Sequence, residues 1–84
     1  MNDNEYDILD ELYFVTPFAI LKKETGLEAE DLRLNLINLI DKGFVKVFVS
    51  MDEEVESTAL DMEMSFNQYY YLATKKGLFE HNSL

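Results

Sequence analysis

Residues 27–43 read LEAEDLRLNLINLIDKG, and their apolar spacing constrains the chain more than any other stretch. At about 100° per residue, Ala29, Leu32, Leu36, Leu39 and Ile40 share one arc of a helix. The opposite arc holds Glu30, Asp31, Leu34, Ile37, Asn38 and Asp41. Lys42–Gly43 supplies a stop, since glycine readily takes the left-handed conformation that ends a helix. The spacing therefore predicts a helix over 28–42 with one face buried. That face needs other elements to cover it. With 84 residues, 48% of them hydrophobic, the chain can build one small core, expected to span 1–84 as a single domain. A core of this size is marginal, and a dimer interface would help it.

The covering elements are legible on either side. In EYDILDELYF (5–14), Ile8, Leu9, Leu12 and Tyr13 form one stripe with acids opposite, which predicts a helix capped by Asn4 with Asp7 in its first turn. Thr16–Pro17 has the form of a hydroxyl cap followed by proline at the first helical position, and Thr25–Gly26 the form of a helix end. Between them Phe18 and Leu21 point one way and Lys22–Lys23 the other. FVKVFVS (44–50) and FNQYYYLA (66–73) are β-prone and predict an antiparallel ribbon joined by the charged loop MDEEVEST (51–58). Residues 59–64, ALDMEM, fit either a strand extension or a helical turn. TKKGLFEH (74–81) predicts a short last helix weakened by Gly77.

Charge narrows the range of functions. Lys and Arg number 7 against 17 Asp and Glu, for a formal net charge of −10. Nucleic-acid and anionic-membrane binding rest on cations, so the chain starts with the wrong sign for both. The acids are spread unevenly. Residues 1–16 carry five acids and no base, 17–43 five acids and four bases, and 44–84 seven acids and three bases. Cysteine is absent, which removes thiol chemistry and thiolate zinc sites and favours a reducing cytoplasm. No apolar run is long enough to span a membrane, and the acidic start MNDNEYD is unlike a signal peptide. No phosphate loop, catalytic carboxylate pair or nucleophile–base pattern is present, so no enzyme, cofactor or metal is expected. His81 is the single histidine and reads as a surface residue near the C-terminus.

The order helix, helix, helix, strand, loop, strand, short helix resembles a winged helix-turn-helix domain, an α+β fold with a three-helix core, a β-hairpin wing and a short C-terminal helix. Thr16–Pro17, Thr25–Gly26–Leu27 and Lys42–Gly43–Phe44–Val45 carry the resemblance, together with Tyr71–Leu72–Ala73–Thr74–Lys75–Lys76–Gly77. The last is similar to the segment after the wing in MarR-like and PadR-like bacterial regulators. The resemblance implies that residues 28–42 form a DNA-reading helix, with Glu28, Glu30, Asp31, Arg33, Leu34, Ile37 and Asn38 at the contact positions. Only Arg33 and Asn38 suit a base or phosphate. The wing tip, where the family places cations, reads Asp52, Glu53, Glu54 and Glu56.

Three functions follow as expectations. The first is a non-enzymatic module, regulatory or adaptor, that binds protein through Leu34 and Ile37 ringed by Glu30, Asn38 and Asp41, the partner being either a second copy or another protein. A slight rotation of the helix would instead put Ile37 in the core. The second is a dimeric DNA-binding regulator using Lys22, Lys23, Arg33 and Asn38. The third is an acidic nucleic-acid mimic presenting Asp52, Glu53, Glu54 and Glu56, acids that equally suit a solvated loop keeping a hairpin soluble. Alternation sends Tyr70 to one face of its strand and Tyr69 and Tyr71 to the other, as core or as interface.

Overall fold

The computed structural model describes residues 1–83. Its elements run α1 (Asp3–Asp10), β1 (Thr16–Pro17), α2 (Phe18–Thr25), α3 (Ala29–Asp41), β2 (Val45–Phe48), β3 (Tyr70–Ala73) and α4 (Lys75–His81), with short 3-10 turns at Ser57–Ala59 and Phe66–Gln68. The strands form one antiparallel sheet in the order β1-β3-β2, with Val47 opposite Tyr71 and Thr16 also opposite Tyr71 on the other side. The result is an α+β fold in which α1, α2 and α3 pack around Ile8, Leu9, Leu21, Leu32, Leu36 and Leu39, all fully buried. Tyr71 joins them from the middle strand.

Several boundaries differ from those the sequence predicts, each for a local reason. α1 starts two residues earlier, because Asn2 and not Asn4 is the cap. The Asn2 side chain accepts from the Glu5 N–H at 2.7 Å, and Glu5 Oε1 accepts from the Asn2 N–H at 3.1 Å, a reciprocal capping box. The helix also ends early, at Asp10. The Leu12 carbonyl is drawn to the Ala73 N–H of β3 at 3.0 Å, which takes the chain off the helical path and leaves Tyr13 exposed.

Helix α2 opens one residue later than Thr16–Pro17 predicts, at Phe18, with Pro17 at its cap position. These residues are the edge strand β1, and Pro17 is extended with φ −69° and ψ 152°. Proline is tolerated on a sheet edge because its missing N–H faces away from the ladder. The Thr16 hydroxyl donates to the Phe14 carbonyl instead of capping α2. The strands are shorter than the β-prone stretches. Residues 66–68 form a helical turn whose Phe66 carbonyl accepts from the Tyr71 hydroxyl at 2.6 Å. Burial of that hydroxyl pushes its pKa far up, with the neighbouring Tyr69 adding to the shift. Tyr69 and Tyr71 are buried and Tyr70 half-buried, as the alternation predicts.

The α3 terminus is built by its sequence. Gly43 has φ 78°, and the Phe44 and Gly43 N–H groups donate back to the Leu39 and Ile40 carbonyls. This is a Schellman end, which satisfies carbonyls the helix would otherwise orphan. The turn is then fastened to α4. Thr74 donates its hydroxyl to the Gly43 carbonyl at 2.7 Å, accepts from the Gly77 N–H at 3.0 Å, and donates its own N–H to the Phe44 carbonyl at 2.9 Å. Gly77 is thus no weak point. A Cβ there would lie 2.2 Å from the Phe44 oxygen, so the close approach of α4 to the turn requires glycine.

His81 is not a surface residue. It is only 4% exposed, stacked on Tyr6 with ring centroids 4.2 Å apart and flanked by the Tyr13 ring. Its Nε2 lies 3.4 Å from Asp10 Oδ1 without hydrogen-bond geometry. The imidazole therefore works mainly as an aromatic spacer between α1 and α4.

One buried charge ties α1 to α3. Glu5 is 3% exposed, and its Oε2 accepts from Lys42 Nζ at 2.9 Å. Burial raises the Glu5 pKa, but the Lys42 hydrogen bond, the Asn2 N–H and the charges of Lys42 and the N-terminus outweigh it. The carboxyl is held below its ordinary 4.5.

Two predictions follow from these contacts. Gly77→Ala should cost about 1–3 kcal/mol through overpacking, lowering the midpoint of a thermal melt by roughly 5–20 °C. For Glu5, the depressed folded pKa contributes stability that is present above pH 4.5 and lost as pH falls through the folded value. The gap in melting temperature between the native chain and Glu5→Gln should therefore be widest near neutrality. It should close on acidification, and a gap unchanged at low pH would refute the ion pair.

Candidate interaction surface

The outer face of α3 carries the residues singled out by the sequence, and the structure separates them. Glu30, Asp31, Leu34, Asn38 and Asp41 are exposed, Leu34 to 48%. Ile37 is half-buried and packs against the core, so Leu34 and Ile37 are not an equally exposed pair. The helix is rotated enough to turn Ile37 toward the segment that follows β2.

Arg33 is the chain's one arginine, and it is not free. Its Nη2 and Nε donate to the two carboxylate oxygens of Glu30, a bidentate pair one turn apart. Nη1 reaches the Met62 carbonyl at 3.5 Å, and the guanidinium sits 5.9 Å from the Phe66 ring centroid. The hydrogen bonds with Arg33 lower the Glu30 pKa and raise that of Arg33. Lys42, also on this stretch, is held by Glu5. Lys22 and Lys23 are exposed in the last turn of α2 and make no ion pair among the described residues. The cations expected to meet DNA are thus not gathered on the α3 face.

The acidic loop is ordered by backbone pairing. The Val49 N–H donates to the Glu53 carbonyl and the Val55 N–H to the Val47 carbonyl, both at 2.8 Å, with Phe48 bridged to Glu54. Residues 53–55 therefore cover the C-terminal end of the outer edge of β2. Asp52, Glu53, Glu54 and Glu56 stay exposed along this return, where their charge discourages further strand pairing. Among the described residues, no group of three or more His, Cys, Asp or Glu is placed to hold a metal ion.

The ambiguous stretch 59–64 turns out to matter most. Of the two expectations the helical turn holds, since the Ser65 N–H donates to the Asp61 carbonyl at 3.2 Å. Asp61 Oδ1 accepts from the Glu63 and Met64 N–H groups, and the Asp61 N–H donates to the Tyr69 hydroxyl at 3.0 Å. This turn folds Leu60 and Met62 onto the core beside Ile37 and Ile40. An apolar cleft results between α3 and the turn, edged by Asp41 and Glu63. It continues past Ile40 and Leu60 toward β2, where Val47 and Val55 form the floor and Glu54 and Lys46 the edge. Beyond the other end, Met64 stands 79% exposed next to Arg33 and Phe66. Sequence reading missed this wall. The alternation Leu60, Met62, Met64 against Asp61 and Glu63 was its only signal, and it does not say which neighbour the apolar side meets. No helix among the described residues is long and apolar enough to cross a membrane.

The unequal exposure of Leu34 and Ile37 is directly measurable. Leu34→Glu should leave thermal stability within about 0.5 kcal/mol of the native chain, as surface changes do. Ile37→Glu should cost about 1–3 kcal/mol, because it puts a carboxylate against the core. Equal melting temperatures for the two variants would contradict the packing described. Comparison of the chain with protein-family models, with curated proteins and with solved structures finds no match.

Proposed function

We propose that this chain is a winged-helix-like module that binds protein, in a regulatory or adaptor role, through the outer face of α3 and the adjoining turn at residues 60–64. The support for the winged-helix reading is the sheet order β1-β3-β2 together with α2, a short turn and α3 preceding the β2 return. The single observation that carries the choice of protein over DNA is the capture of Arg33 by Glu30. A reading helix that spends its one arginine on its own glutamate has no guanidinium left for a base edge. Leu34 stands exposed in its place, with Glu30, Asp31 and Asp41 on the same outer face. Phosphates would meet repulsion there, whereas a protein partner can bury the leucine and satisfy the acids at the rim.

In a gel-shift assay against mixed genomic fragments at about 50 mM salt, where phosphate contacts are strongest, no retardation is expected. Retardation that disappears in Lys22→Glu/Lys23→Glu would replace this proposal with that of a DNA-binding regulator.

A further inference from the structure

We infer that the cleft between α3 and the 60–64 turn receives a cationic amphipathic helix of another protein. The inference deepens the protein-binding reading above and rests on it. Three observations select this occupant. The floor is apolar, from Ile37 and Ile40 through Leu60 to Val55. Its rim carries Asp41, Glu63 and Glu54, against which Lys46 is the one cation among the described residues. The Lys46 ammonium leans over the Phe48 ring at 5.8 Å.

The backbone selects the form of the occupant. An extended segment gains affinity by pairing with a free strand edge. The outer edge of β2 is already paired with residues 53–55 over 47–49, through the Val49 and Val55 N–H groups, which leaves only the Val45–Lys46 end for an extended segment, too short for a strand to add. A helix brings its backbone groups satisfied and needs only side-chain pockets, which the cleft provides. Charge selects against self-association. A second copy would bring another net charge of −10 to an acidic rim, whereas Lys or Arg beside the apolar stripe of a partner helix would meet Asp41, Glu63 and Glu54.

Designed helical peptides test this directly. Three share one Leu stripe and differ only in flanking residues, which are Lys, Gln or Glu. Binding to the whole chain is read by fluorescence anisotropy and located by amide chemical-shift changes. The Lys-flanked peptide should bind best, with shifts concentrated at Ile37, Ile40 and Leu60. Its affinity should fall at least about fivefold between about 0.05 and about 0.5 M salt, as rim charges are screened. Asp41→Asn/Glu63→Gln should weaken it severalfold and leave the Gln-flanked peptide unaffected. Both replaced residues are exposed, so the fold should persist, and the unchanged amide spectrum of the variant verifies that.

Equal binding of Lys- and Gln-flanked peptides in the cleft would overturn the cationic partner while leaving protein binding intact. Shifts confined to residues 52–56 would reduce the effect to general charge attraction and overturn the inference. Absence of binding by all three peptides would overturn it as well. The gel shift decides the parent reading separately, because DNA retardation dependent on Lys22 and Lys23 sinks that reading whatever the peptides do.

Discussion

The middle strand, β3, is the constraint on which the rest of the structure depends. Its Tyr71 is fully buried and lies opposite Thr16 on one side and Val47 on the other. The Ala73 N–H holds the Leu12 carbonyl and so ends α1. The Thr74 that follows fastens the end of α3 and starts α4. The Tyr71 hydroxyl reaches back to Phe66 and keeps the long connection folded onto the core. Each contact satisfies a backbone or hydroxyl group that would be costly to leave unpaired in the interior. Few residues are thus placed to do several tasks at once, as a small core requires.

The connection from β2 to β3 gains its role from the same strand. Pinned at Tyr69 and Tyr71, it has to cross the face where α3 meets the sheet. It lays Leu60 and Met62 beside Ile37 and Ile40 and so widens the apolar surface next to the α3 outer face. It also leads Met62 and Phe66 to Arg33, which helps Glu30 to hold the guanidinium. One loop thereby builds an apolar cleft and removes a cation from the helix face. Both effects are what the proposed protein partner rests on.

The Glu5–Lys42 pair, buried on the Glu5 side only, has a different task. It joins the first turn of α1 to the end of α3 across the helical layer. Such a pair is weak evidence for stability, since desolvation offsets much of the attraction. Losing Lys42 is more serious, because the Glu5 carboxylate then stays buried without its partner. Glu5 also closes the capping box with Asn2, so one carboxylate orders a helix end and fixes how two helices meet.

The α+β class, the long amphipathic helix, the two glycine turns at Gly26 and Gly43 and the alternation of Tyr70 against Tyr69 and Tyr71 were determined by sequence alone, through periodicity and local backbone preference. Those signals act within a few residues. Interactions between distant residues were beyond them. Pro17 obeys the rule for a helix start and does stand at the cap of α2, but it is also drawn into a strand because Tyr70 is there to pair with it. Gly77 reads as a helix breaker, yet the Phe44 carbonyl makes it necessary. His81 is buried only because Tyr6 and Tyr13 come around it. On the candidate surface, the sequence identified exposed Leu34 and the surrounding acids, since one helical wheel contains them all. The Glu30–Arg33 pair, one turn apart on the same helix, is also within reach of the sequence. Tertiary structure alone decided that Ile37 turns inward and that residues 60–64 wall a cleft. The reason is physical: helix periodicity tells which side chains share a face, and only packing of remote segments tells what that face meets.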